Sequence, residues 1–149
     1  MIKVVFAVTE VGDTAAAGDY FTALELGTAL QQRFGWQVEY RPKGESWYKV
    51  EEAHLLIVML AEYELPLIQQ SSLNLIKIGW ARNWFEKWAG LPWLDQYDLM
   101  LASSISGMRY LSERSGKLAS LLRIATNPER FPGKGPSQKP RWDIVFTGS

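Results

Sequence analysis

The sequence predicts an α/β domain built on a doubly wound, mostly parallel sheet of about six strands flanked by helices. Apolar runs rich in β-branched residues recur along the chain, helical or small-residue segments separate them, and glycine, proline or serine stands at most boundaries. Because strands alternate with helices, right-handed crossovers would bring the strands into one parallel sheet. With 149 residues and 47% hydrophobic content, the chain can bury one core of ordinary size.

The first two strands and the helix between them form the opening unit. The run IKVVFAVT, residues 2–9, has the near-continuous apolar pattern of a central parallel strand. After a small-residue loop, Asp19 is expected to cap a helix whose apolar residues recur at helical spacing until Gly35 ends it. The alternating segment WQVEYR, residues 36–41, predicts the second strand.

Four further strands are predicted along the rest of the chain. They are HLLIVML (54–60), LNLIKIGW (73–80), YDLMLAS (97–103) and LASLLRIAT (118–126). The segment SWYKVEEA, residues 46–53, predicts a short helix before the third strand. Either Ser104 or Ser106 is expected to cap the helix that follows the fifth strand.

The character of the sequence changes after the sixth strand. Proline and glycine dominate the region that follows, which predicts an interdomain linker at residues 128–141. The closing segment, residues 142–149, has the pattern of a buried strand that runs into a loop. We expect a main domain at residues 1–127 and, at the end, the first strand of a further domain that the chain lacks. An added strand of the same sheet is the alternative.

Composition argues against several classes of partner. Lys plus Arg and Asp plus Glu number 16 each, so the chain lacks the basic field that would hold nucleic acid or an anionic membrane surface. The absence of cysteine removes thiolate catalysis and zinc-thiolate sites, and a single histidine argues against a histidine-based metal cluster. We expect a cytoplasmic protein with no bound metal, no cofactor and no nucleic-acid partner.

Candidate ligand-binding residues follow the predicted strands, because ligands of open parallel sheets bind beyond the carboxyl ends of the strands. This rule selects Gly12, Gly18, Arg82, Asn83, Trp84, Ser103 and Ser104. Gly12 and Gly18 permit close ligand approach, and the start of the next helix offers free N–H groups to an anion. The sequence has neither a G-x-G-x-x-G fingerprint nor a phosphate-binding loop, which argues against simple NAD and ATP sites.

The segment GWARNWFEKWAGLPW carries four of the seven tryptophans. Trp80, Trp84 and Trp88 fall four residues apart and are predicted to line one face of a helix. Indole faces stack on the apolar C–H faces of sugars, and Arg or Asn side chains hydrogen-bond to hydroxyls or phosphate. Packing against the sheet is the alternative for Trp88 and Trp93. His54, at the amino end of a predicted strand, is expected to have a structural or surface role.

Longer segments resemble a known family. The segments IKVVFAVTE, GDYFTALELGTALQQRFGWQVEY, IKIGWARNWFEKWAGLPWLDQYDLMLASS, SGMRYLSERSG and ATNPERF are similar to bacterial glycosyltransferases of the GT-B class, especially the group-1 type associated with O-antigen and other surface polysaccharides. Asn127, Pro128, Glu129 and Phe131 occupy positions similar to the family's N-G-x-D-x-x-x-F motif, without its glycine or aspartate. The resemblance covers the whole chain.

The resemblance implies two Rossmann-like domains that face a cleft. The amino-terminal domain would bind a saccharide or lipid-linked acceptor, and a missing carboxyl-terminal domain would bind the nucleotide-sugar donor. The ligand-binding candidates above would form the acceptor surface, with Asp13 or Asp19 as general base if the chemistry is inverting. The family generally needs no bound metal.

Three expectations follow for the protein as a whole. The isolated chain would be inactive, the full-length enzyme would contact the inner face of the membrane peripherally, and the closing strand would allow self-association. A flavodoxin-like or receiver-like binding module without catalysis is the alternative function. Glu10 and Asp13 partly match the acidic residues of a receiver, but no lysine follows the fifth strand.

Overall fold

The computed structural model describes residues 1–69, 74–125 and 127–128, and it confirms the α/β fold class. The strands are β1 (Lys3–Val8), β2 (Gln37–Pro42), β3 (Leu55–Val58), β4 (Ile76–Ala81), β5 (Leu99–Ala102) and β6 (Ala119–Leu121). The helices are α1 (Gly18–Phe34), α2 (Phe85–Ala89) and α3 (Ile105–Ser115), and short 3₁₀ turns lie at Leu65–Leu67 and Leu94–Gln96. The predicted linker after Pro128 and the predicted closing strand lie outside the described residues.

All six strands belong to one open sheet in which every pairing is parallel. The strand order is β2-β1-β3-β4-β5-β6, so the direction of winding reverses between β1 and β3. In the pairing register, Val4 of β1 lies opposite Val38 on one side and Leu55 on the other. This Rossmann-like sheet extends the flavodoxin-like strand order by one strand.

The winding decides which face of the sheet each connection covers. Only the β1–β2 connection runs towards the β2 edge, so right-handed crossovers place α1 on one face and the later connections on the other. Phe6 accordingly shares a buried cluster with Ala23 of α1, whereas Val5 shares one with Trp88 of α2 and Leu111 of α3. Among the described residues, the α1 face of β4 to β6 therefore has no helix of its own.

Two residues explain where α1 ends and where α3 begins. Gly35 adopts a φ of 66° at the C-terminus of α1, and its N–H donates to the carbonyl of Gln31. The hydroxyl of Ser104 accepts the N–H of Gly107 at 3.1 Å and caps α3. Both assignments confirm predictions from the sequence. No helix among the described residues is long and apolar enough to cross a membrane.

The predicted cap of α1 is wrong. The helix begins at Gly18 after Ala17, and Asp19 lies inside its first turn rather than before it. The carboxylate of Asp19 instead accepts the N–H of Thr9, at the end of β1, at 2.6 Å. Asp19 therefore ties the helix to the strand.

Two other predicted elements differ in the structure. Residues 46–53 form turns instead of a helix, because their backbone bonds to a distant segment: the N–H of Gln69 donates to Tyr48 at 2.8 Å, and the N–H of Val50 donates to Gln69 at 3.3 Å. The sixth strand is three residues long instead of nine, and its ladder with β5 ends where the N–H of Leu122 donates to Ala102. Pairing with neighbours, rather than apolar content, sets both boundaries.

Candidate functional site

Arg82 reaches from the end of β4 to the first turns of α1, past the intervening β3. Its Nη1 donates to the Thr22 hydroxyl at 3.4 Å. Burial lowers the pKa of the Arg82 guanidinium, and the negative charge of nearby Asp19 partly offsets this effect. The Nε of Arg82 is buried and has no hydrogen-bond partner among the described residues. The structure thus brings two predicted site residues, Asp19 and Arg82, into electrostatic contact.

Trp84 stands exposed at the same edge of the sheet. Its backbone adopts φ 52° and ψ 45°, in the left-handed region, and 64% of the residue is exposed. A bulky residue in this region costs roughly 1–2 kcal/mol, so neighbouring structure must hold it there. The Trp84 carbonyl accepts the N–H of Lys87 at 2.9 Å, and the Lys87 ammonium lies 4.9 Å from the centre of the indole. The result is an exposed indole with a cation over one face of its ring.

A small cavity of about 180 Å³ joins the ends of β3 and β4. Its lining includes Leu60, Glu62, Arg82, Asn83, Trp84 and Lys87. Glu62 forms an ion pair with Lys43 at 2.6 Å. We call this set the strand-end rim. One aromatic face, two cations, an amide and a carboxylate suit a ligand that carries hydroxyl groups.

The loop after β1 is closed by its own carboxylate. Glu10 accepts the N–H groups of Ala16 and Ala17 at 2.5 and 2.6 Å. These two residues precede Gly18, where α1 begins, so an anion site at the N–H groups of the first helical turn stays a prediction. Gly12, with a φ of 100°, and the exposed Asp13 belong to this loop and do not line the rim cavity.

Ser103 and Ser104 hold backbone near the rim. The Ser103 hydroxyl donates to the carbonyl of Arg82 at 2.7 Å and so fixes the end of β4 against β5. Ser104 caps α3, as described above. Each hydroxyl keeps some acceptor capacity, and direct contact of these residues with a ligand stays a prediction.

The predicted tryptophan stripe is wrong, because β4 continues to Ala81 and α2 begins only at Phe85. Trp80 lies in β4 on the α1 face, whereas Trp88 lies in α2 on the opposite face and is 2% exposed. The packing alternative is confirmed for Trp88, and the partly buried Trp93 packs against the same core.

The structural role expected for His54 is confirmed. Its Nδ1 accepts the N–H of Lys3 at 3.1 Å, at the amino ends of β1 and β3. This position lies at the opposite edge of the sheet from the rim.

A larger groove of about 820 Å³ lies on the α1 face and was not predicted. One wall is a helical stripe of Gly18, Phe21, Thr22, Glu25, Ala29 and Gln32, and the other is residues 122–125 with Asn127. Trp80 lines the groove between the walls, and its indole N–H donates to the carbonyl of Leu122 at 3.1 Å. The amide of Asn127 donates to Glu25 at 2.8 Å and links the two walls. The α1 wall could have been predicted from the helical spacing of its residues. The opposite wall could not, because its position depends on the strand order.

Within the described part of the chain, no group of three or more His, Cys, Asp or Glu side chains is placed to hold a metal ion. Comparison of the sequence and fold with known protein families, with curated proteins and with solved structures finds no match.

Proposed function

We propose that this chain is the acceptor-binding half of a GT-B-type glycosyltransferase. The full-length enzyme would transfer a sugar from a nucleotide-sugar donor to a saccharide or lipid-linked acceptor in surface polysaccharide synthesis. The observation that carries the proposal is Trp84, an exposed indole held in a costly backbone conformation at the carboxyl ends of parallel strands. The resemblance of several segments to the family supports the same function.

The rim offers complementary groups to a sugar. The face of Trp84 opposite Lys87 would stack on the C–H face of a pyranose ring, and Asn83 and Lys87 would donate hydrogen bonds to its hydroxyls. Arg82, whose Nε has no partner among the described residues, would bind a hydroxyl or phosphate oxygen after a small side-chain shift. Transfer would then depend on a second domain that brings the donor to this rim.

The two candidate bases have different environments. Asp19 is 4% exposed and already accepts the Thr9 N–H, which supports a role in holding the helix start and the charge of Arg82. Asp13 is exposed in the loop after β1. Asp13 is therefore the more accessible candidate for a general base towards an acceptor hydroxyl.

A binding module without catalysis is the second candidate. The strand order favours it, because flavodoxin-like sheets bind their ligands where the winding reverses, here between β1 and β3. Glu10 opposes an anionic ligand there, because its carboxylate occupies two N–H groups of the β1 loop. A module of this kind would not need Trp84.

A glycan array tests the proposal. We expect the labelled chain to bind a subset of bacterial oligosaccharides and Trp84→Gly to weaken that binding about tenfold or more, since the stacking surface is removed. Arg82→Gln should also weaken it. The matched control is Glu52→Gly, which relieves the same left-handed strain at a φ of 60° in a turn far along the chain and should leave binding unchanged.

Two outcomes would count against the proposal. Binding to no glycan would remove the acceptor function, and equal binding by wild type and Trp84→Gly would remove the rim as its site. Urea unfolding of each variant establishes that a loss of binding does not come from a loss of fold.

A further inference from the structure

We propose that the groove along α1 binds the hydrocarbon chain of a fatty acid, with the carboxylate against Arg123. This site is separate from the strand-end rim, and the proposal does not depend on the glycosyltransferase function. It rests on the size of the groove, on the apolar residues that line it, and on the charges at its walls.

The winding of the sheet creates the groove. Among the described residues, α1 is the only helix on this face, and the strand order leaves β4 and β5 far from the β2 edge over which α1 crosses. Leu122 packs there against the cluster that contains Trp80, and Ile124 is 51% exposed. Apolar surface of this kind is stabilised by an apolar ligand.

The dimensions are large enough for a hydrocarbon chain. The groove volume of about 820 Å³ lies within the range of about 300–1,000 Å³ that is typical of small-molecule sites. Its α1 wall runs from Gly18 to Gln32, which is about 21 Å along the helix axis.

The charges select a monoanionic head group. Arg123 lines the groove, is exposed, and forms no ion pair with a described residue. A guanidinium and a carboxylate match as a two-pronged pair. The carboxylate of Glu25 lines the same groove, so a doubly charged phosphate would meet more repulsion there than a carboxylate.

Calorimetric titration of the chain with dodecanoate, below its micelle concentration, tests the proposal. We expect saturable binding, about tenfold weaker binding of decanoate because two methylenes fewer are buried, and weaker binding of dodecanol. Arg123→Gln should weaken dodecanoate binding only about threefold, because the ion pair between Arg123 and the carboxylate is exposed and screened. The same substitution should leave dodecanol binding unchanged, because dodecanol carries no charge.

Two substitutions in α1 distinguish binding in the groove from binding elsewhere on the surface. Ala29→Trp fills the groove from an exposed position and should weaken dodecanoate binding about tenfold or more. Gln31→Trp adds the same side chain to the same helix outside the groove and should bind as wild type. Thermal unfolding checks that both variants are folded.

Three results would overturn the proposal. Unchanged binding by Ala29→Trp would place the ligand elsewhere, and tighter binding of dodecyl phosphate than of dodecanoate would contradict the assigned head group. A wild-type dimer that Ala29→Trp converts to a monomer, with no binding of dodecanoate, would make the groove an interface between copies. None of these results bears on glycan binding, so the two proposals fail separately.

Discussion

Two tyrosines lie in the core on the face of the sheet that α2 and α3 cover. Their buried hydroxyl groups differ in whether they have a hydrogen-bond partner. The hydroxyl of Tyr63 donates to the carbonyl of Trp47 at 3.2 Å. The hydroxyl of Tyr97 is buried with no partner among the described residues. An unpaired buried polar group costs free energy, whereas a paired one contributes modestly to stability. The two phenols therefore have opposite effects on the free energy of unfolding.

We expect Tyr97→Phe to leave the free energy of unfolding unchanged or raise it by up to about 1 kcal/mol, because it removes an unpaired hydroxyl. Tyr63→Phe should lower it by about 1 kcal/mol, because the carbonyl of Trp47 loses its donor. Urea unfolding measures both. Greater destabilisation by Tyr97→Phe than by Tyr63→Phe would mean that the Tyr97 hydroxyl has a partner.

At the scale of single elements, α1 packs closely on β2 through a glycine. A Cβ added at Gly27 would clash with the hydroxyl of Tyr40 and lie 2.9 Å from Cγ1 of Val38. A Cβ added at Gly18, in the first turn of the same helix, would meet nothing within 4 Å. Gly27 is therefore required by packing and Gly18 is not.

Gly27→Ala should lower the free energy of unfolding by about 1–2 kcal/mol, because the cost of overpacking exceeds the gain of about 1 kcal/mol in helix propensity. Gly18→Ala should change it by less than about 0.5 kcal/mol or stabilise the protein. Chemical denaturation of the two variants measures both changes in the free energy of unfolding. If Gly27→Ala proved the more stable variant, the close packing of α1 on β2 would be wrong.

The sequence predicts elements well where the pattern is local. The apolar runs of β1 and β3, and Gly35 and Ser104 at helix ends, are local signals, and each is confirmed. The predictions fail where long-range pairing contributes, as in residues 46–53, whose local turn bonds are joined by backbone bonds to the distant Gln69. The predicted tryptophan stripe is wrong because a four-residue spacing does not indicate where β4 ends and α2 begins.

For the whole molecule, the strand order determines what the sequence could and could not predict of the sites. The rule that ligands bind at strand ends selected Arg82, Asn83 and Trp84, which line one cavity. The approach of Arg82 to Thr22 depends on β4 being separated from β1 by β3 alone, which the sequence does not reveal. The groove along α1 depends on the direction of each crossover, which is also absent from local patterns.

Alkaline stability tests the packing of the whole fold. Burial, with a contribution from Tyr20, raises the pKa of Tyr40 to about 12, and burial also raises the pKa values of Tyr63 and Tyr97. Unfolded tyrosine ionises near pH 10, so above that pH the unfolded chain releases protons that the folded chain retains. The stability from these neutral phenols is complete below about pH 10 and is lost as the pH rises through the folded pKa values.

We expect the free energy of unfolding to fall steadily above about pH 10, with tyrosinate absorbance appearing together with the loss of circular dichroism. Tyr97→Phe should make the fall less steep, because one raised pKa is removed. Tyrosinate absorbance that titrates fully near pH 10 with the fold intact would show that the phenols are not buried as described.

The most direct test of the central claim, that the strand-end rim binds the sugar of an acceptor through Trp84, is an NMR titration of the indole N–H signals. The seven tryptophans give separate probes, and the signal that Trp84→Gly removes identifies Trp84. On addition of the oligosaccharide selected by the glycan array, we expect the Trp84 signal to shift while that of the buried Trp80, which does not line the rim cavity, stays in place. A saturable shift of Trp80 with Trp84 unchanged, or no shift in any indole signal, would contradict the account.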